Sequence, residues 1–153
     1  MKKLIYLIIP VMLGFACSSK QAPAEGEEVV SAEKEVETIV EETGVFFESL
    51  VDGAAVESPL TIKMGVKGMA VEPAGELHEG KGHHHLVIDG GFIEKGKVVP
   101  ADSLNIHFGK GQTETVIELT PGKHTLTLQF ADGLHQSYGQ EWSTTIEVEV
   151  KNP

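Results

Sequence analysis

The sequence holds a single cysteine, Cys17, so no disulfide can form within the chain and a folded domain must rest on its apolar core. Aromatic residues are sparse, with one Trp, two Tyr and six Phe, and the Cys–Trp–Cys framework of antibody domains is therefore excluded. Basic residues are in deficit. Twelve Lys and Arg stand against 23 Asp and Glu, for a formal charge of −11. Such a surface repels phosphate backbones and anionic headgroups, which excludes nucleic acid as a partner. The apolar run Leu4–Leu13, broken by Pro10, is too short for a bilayer span of ~20 residues. It fits the core of a signal peptide, which takes ~7–15.

That run follows Lys2 and Lys3 and leads through Gly14, Phe15 and Ala16 into Cys17. A small residue before a cysteine at the end of an apolar run is similar to a bacterial lipobox, in which the thiol receives a diacylglycerol and becomes the new N-terminus. Residues 1–16 are thus expected to be a lipoprotein signal peptide and Cys17 the lipidation site, with the membrane as a partner through the anchor. Loss of Lys2 and Lys3 on cleavage takes the formal charge from −11 to −13. The expected location is the bacterial cell envelope, lipid-anchored, at the outer membrane.

Residues 17–43 read as the lipidated cysteine and an acidic, flexible tether. Eight glutamates between Glu25 and Glu42 face only Lys20 and Lys34, with no aromatic residue. Such a segment buries too little apolar surface to offset its ordering entropy, and like charges keep it extended. Its simplest role is a spacer. Residues 44–153 then form the folded domain.

From Val45 onward the period changes to two. Leu60, Ile62, Met64 and Val66 alternate with polar or small residues, as do His124, Leu126, Leu128 and Phe130, and Ile146, Val148 and Val150. This is the pattern of half-buried strands. Weaker strands are expected at Val45–Glu48, His83–Ile88, Leu104–Phe108 and Glu114–Leu119. Asp52-Gly53, Ser58-Pro59, Asp89-Gly90-Gly91, Pro121-Gly122 and Asp132-Gly133 supply turns between them. About seven short strands in one domain point to an all-β fold, a single immunoglobulin-like β-sandwich in architecture, with a jelly roll or cupredoxin-like sandwich the nearest alternative.

The chemistry concentrates in Gly82-His83-His84-His85-Leu86-Val87-Ile88-Asp89. On a strand His83, His85 and Val87 share one face, and His84, Leu86 and Ile88 the other. The second set is the core face, which leaves His83 and His85 on the outer face or at the strand end. Imidazoles at that spacing can chelate a borderline or soft transition metal such as copper or zinc, and His107 and His135 complete the candidate metal set. His78, Met64 and Met69 are further donors. The competing reading is a hydrogen-bonded structural cluster. His84 and His124 are expected to be structural: half-buried, bonded to loop backbone, with His124 packed against Leu126 and Phe130. His107-Phe108-Gly109-Lys110-Gly111 reads as a tight turn rather than a phosphate loop, since it lacks the GxxxxGK[ST] frame.

Asp52–Pro59, Gly68–Gly75, Gly82–Asp89, His107–Glu114 and Pro121–Leu126 together resemble a bacterial envelope domain family of unknown function, DUF4399. Its members share a DGA-V-SP start, a GM-V-PAG loop, a GHHHL-ID strand, an HFGKGQTE turn and a PG-HTL strand. The likeness spans about Val45 to Val150, with Leu50 where the pattern has proline. It implies an exported domain and names no activity. No nucleophile elbow or base-paired serine is legible, so the chain reads as a non-enzyme. Two functions are expected to compete. One is a binding module whose histidine edge holds a metal or a small polar ligand. The other is a structural domain contacting another envelope protein or a glycan. A shared metal requires the His85 and His107 rings to meet, whereas an interaction domain requires only an exposed face.

Overall fold

The computed structural model describes residues 43–152; the leader, Cys17 and the acidic tether lie outside the described residues. In chain order the strands are β1 (Gly44–Phe47), β2 (Ala54–Val56), β3 (Leu60–Lys67), β4 (Ala70–Val71) and β5 (Lys81–Ile88). Then come β6 (Asn105–His107), β7 (Glu114–Ile117), β8 (Gly122–Ala131) and β9 (Ser143–Val150), with one 3-10 turn at Gln140–Trp142. The domain is an all-β sandwich of two sheets. The smaller runs β1-β3-β7; the larger runs β2-β9-β8-β5-β4, with β6 also on β5. All seven expected strands are present. The two additional ones, β2 and β4, are three and two residues long and pair in parallel with β9 and β5.

The period-two pattern explains the core. Val45 and Phe47 on β1, and Leu60, Ile62 and Met64 on β3, face inward from the small sheet, and all are buried. Opposite them stand Leu86 and Ile88 on β5, Leu126, Leu128 and Phe130 on β8, and Ile146, Val148 and Val150 on β9. Each such side chain taken fully out of water contributes roughly 1.5–3 kcal/mol, and with no disulfide among the described residues this layer holds the sheets together.

The other face of the large sheet is also covered, which the strand pattern did not show. Two loops cross it, and Gln129, fully buried on β8, holds both. Its Oε1 accepts the Ile93 N–H at 2.9 Å, and its Nε2 donates to the carbonyls of Gly139 and Trp142, each at 3.1 Å. Ser137 Oγ donates to the Ile93 carbonyl at 2.7 Å, joining one loop to the other. The outer side of β5 and β8 is therefore a second interior, lined by polar residues.

Candidate metal centre

β5 carries the triple histidine through the middle of this arrangement. Its alternation sends His84 into the core, edge-on against Phe130 at 5.0 Å between ring centroids. His83 and His85 point to the loop-covered face. All three are at 0% exposure. Here the expectation of an exposed or strand-end position for His83 and His85 is corrected: the face is as expected, but the loops 89–104 and 132–142 bury it.

Register brings the distant ligands in. His85 pairs directly with His107 across the antiparallel β5–β6 ladder, so both side chains share a face, and their rings stack at 5.0 Å. On the other side His83 pairs with Ala131, the last residue of β8. The chain turns back there, with a bridge from Ala131 to Ser137, and the turn delivers His135. Asp132 builds that turn. Its Oδ1 accepts the N–H groups of Leu134 (2.8 Å) and Gln136 (2.9 Å), and its carbonyl accepts that of His135 at 2.9 Å. His135 itself has φ 67°, a left-handed conformation that costs a non-glycine residue about 1–2 kcal/mol. Strain of this kind persists where the surroundings over-determine it, often at a functional site.

The four rings meet. Nε2 of His83 lies 3.0 Å from Nε2 of His85, and Nε2 of His135 lies 3.1 Å from Nε2 of His107. Donor atoms of His83, His107 and His135 all fall within 4.8 Å of one another. Nitrogens that share one tetrahedral ion at about 2.0–2.1 Å sit about 3.3–3.4 Å apart, so relative ring shifts of up to about 1.5 Å would gather these three. The Nδ1 atoms of His83 and His85 are buried without a hydrogen-bond partner. The two Nε2 atoms face each other, and no carbonyl or carboxylate anchors either ring from its Nδ1 side.

Burial and mutual repulsion favour the neutral form of three of the donors, His83, His85 and His107. Burial, then the neighbouring His107 and His135, lowers His83 to about 4, against a smaller upward pull from Asp132. Burial and the other histidines, led by His83, lower His85 to about 3. Burial and His135 lower His107. Neutral imidazole is the form that binds metal.

The remaining candidates lie elsewhere. Met64 sits between the sheets, on the far side of β5 from the histidines. Met69 is partly buried and lines an open cavity with Tyr138 and Trp142. His78 bonds Glu72 at 2.7 Å in an exposed ion-pair cluster with Lys81. His124 is half-buried and bonded to loop backbone as expected. Its Nε2 is 2.9 Å from the Thr120 carbonyl and its Nδ1 is 3.0 Å from the Asp89 carboxylate, because β8 outruns β5 beyond Ile88 and leaves the ring at the rim. The histidine packed on Phe130 is instead His84, which is fully buried with neither ring nitrogen hydrogen-bonded, where a half-buried, backbone-bonded ring was expected. Asp132 and Gln129 are site-building residues that sequence reasoning missed. The Asp132-Gly133 turn signal, with a histidine two residues on, pointed to the first.

A family model described as a domain of unknown function (DUF4399) matches residues 62–151, and the chain belongs to that family. The match contains all four converging histidines. No curated protein and no solved structure matches the chain.

Proposed function

We propose that this protein is a cell-envelope lipoprotein, anchored through Cys17 at the outer membrane, whose four-histidine centre binds a transition metal ion, copper or zinc. The observation that carries the reading is the convergence of His83, His85, His107 and His135 from three separate segments. The donor set is all imidazole, with no thiolate. Ligand chemistry of this kind suits copper, zinc and nickel, and copper(II) leads the affinity order among divalent ions. Two rings are fixed on the buried strand β5, one ends the partly exposed strand β6 and one sits on a partly exposed turn, so the ion has a rigid seat and an open side. We take the protein as a binder rather than a catalyst, since the sequence offers no activated nucleophile. The alternative is an interaction domain facing another envelope protein or a glycan. Leu77 and Leu134, 62% and 50% exposed near the histidine turns, favour it.

Calorimetric titration of the tag-free chain with copper(II) and with zinc tests the metal reading. One saturable site, tighter than the millimolar range and absent from His83→Ala, is expected. Without saturable binding, the metal reading fails and the interaction domain takes its place.

A further inference from the structure

Three of the segments around the centre carry a glycine next to a ligand, and each glycine stands where a Cβ would collide. A Cβ on Gly82, just before His83, would lie 2.1 Å from the carbonyl oxygen of Ala131. On Gly133, two residues before His135, it would lie 1.6 Å from the carbonyl oxygen of Glu76. On Gly109, two residues after His107, it would lie 2.2 and 2.3 Å from Cε1 and Nε2 of the His107 ring. None of the three is among the glycines with positive φ. Their requirement is space, not conformational freedom.

One loop touches all three. After β4 the strand direction is lost and residues 72–76 run across the site as a strap. Glu72 N–H donates to the Gly82 carbonyl at 2.7 Å, Ala74 N–H to the Gly109 carbonyl at 3.0 Å, and Gly75 N–H to the Gly133 carbonyl at 2.9 Å. The carboxylate of Glu72 takes His78 and Lys81 at the base of the strap. A single stretch of backbone is thus bonded beside His83, beside His107 and beside His135. The ladders connect the two turns only through β5 between them, and the strap joins them a second time.

We propose that residues 72–76 and these three glycines form a clasp that sets the spacing of the metal ligands, with Gly109 the positioning residue for His107. The proposal rests on the metal reading above. The glycines divide by what they meet. At Gly82 and Gly133 a side chain would strike backbone, so substitution there perturbs the fold. At Gly109 it would strike only the far end of the partly exposed His107 side chain, whose ring can yield by giving up its 3.1 Å contact with His135. Gly109→Ala therefore separates ligand placement from folding. Bond geometry around a ligand commonly governs affinity by about 10–100-fold when supporting contacts are altered.

The test uses the full chain, its Gly109→Ala variant and copper(II) as the probe. The variant is expected to melt at the same temperature as the unaltered protein when metal-free. It should bind copper(II) about 10–100-fold more weakly and show a shifted visible absorption band, since a displaced His107 changes the ligand field. A purely structural role would lower the melting temperature and leave the band unmoved, and that result overturns the proposal. Hydrogen exchange on the unaltered protein is the second measurement. Copper(II) should slow exchange at the Ala74 and Gly75 amides, because an ion bridging the turns tightens the strap that joins them. Unchanged exchange at both amides overturns the clasp while leaving metal binding intact. Failure of the unaltered protein to bind copper(II) removes the metal reading, and the clasp with it.

Discussion

Nε2 of His83 and Nε2 of His85 lie 3.0 Å apart at zero solvent exposure. A neutral imidazole has one N–H and one lone pair, so in this pair one Nε2 donates and the other accepts. The two Nδ1 atoms, one then protonated and one bare, have no partner. A buried group left unsatisfied costs about 1–3 kcal/mol. An ion that accepts both Nε2 lone pairs would replace this one hydrogen bond with two coordinate bonds, with the proton on Nδ1 of each ring.

The first prediction follows from that exchange. Copper(II) or zinc should raise the melting temperature of the unaltered protein, because a ligand bound only by the native state stabilises it by mass action, by about 2.7 kcal/mol at a hundredfold excess over Kd. His83→Ala and His85→Ala should each remove most of that gain. Thermal scans with and without metal decide it. A gain that survives both substitutions would place the metal elsewhere.

A second prediction concerns His84, whose two ring nitrogens are buried without partners against Phe130. Replacing a buried polar group that has no hydrogen bond by an apolar one of similar size removes a desolvation cost without breaking a contact. His84→Leu should stabilise the metal-free domain by about 1–3 kcal/mol in urea unfolding, with metal affinity unchanged. A loss of stability would mean that the ring has a polar partner, such as a buried water.

Much of this was legible in the sequence, for a local reason. Period-two alternation along Leu60–Val66 and His124–Phe130 is a property of consecutive residues, and it fixed the strands and the core face. The same alternation placed His83 and His85 together and His84 apart. The covering of their face was not legible, because it depends on Gln129 bonding two loops distant in sequence. Nor was the role of Gly109, which reads as an ordinary turn glycine until the His107 ring is seen lying against it. The backbone bond of His124 was legible but its packing was misplaced, because alternation along β8 continues past the point where β5 ends.

His124 gives the third prediction. Its burial alone would lower its pKa, but the hydrogen bond and charge of Asp89 and the Thr120 carbonyl outweigh that and raise it. A raised folded pKa contributes stability that is present below the ordinary histidine value and lost as pH rises through the folded one. Asp89 is 46% exposed at the side chain, so the pair is worth only ~0.2–1 kcal/mol. Asp89→Asn should lower the His124 pKa in an NMR titration. An unmoved titration would show that Thr120 alone holds the ring.

The fourth prediction takes in Cys17, which lies outside the described residues. If its thiol carries the lipid, Cys17→Ala should leave the protein in the aqueous phase of a detergent partition or as the uncleaved precursor. Two or more acyl chains are what make such an anchor stable. A processed variant that still enters the detergent phase would defeat the lipoprotein reading.

The last prediction is acid sensitivity of the metal-free domain. Burial above all lowers His83 and His84 to about 4 and His85 to about 3, against about 6.5 in an unfolded chain. Between those values the unfolded state binds protons that the folded state refuses, so stability rises with pH. It is fully present above about pH 6.5 and drains as pH falls toward 4. Each proton taken up on unfolding contributes a slope of about 1.36 kcal/mol per pH unit, and three such groups make the loss steep. His124 acts in the opposite sense but as a single, partly exposed pair, so the buried trio decides the sign. Urea unfolding of chelator-treated protein from pH 7 to pH 4.5 measures it. The slope near pH 5.5 should approach three protons and fall by about one in His84→Leu, a change that carboxylates titrating at lower pH cannot produce. Stability that stays flat from pH 7 to pH 5 would show that these imidazoles are not held neutral by the fold.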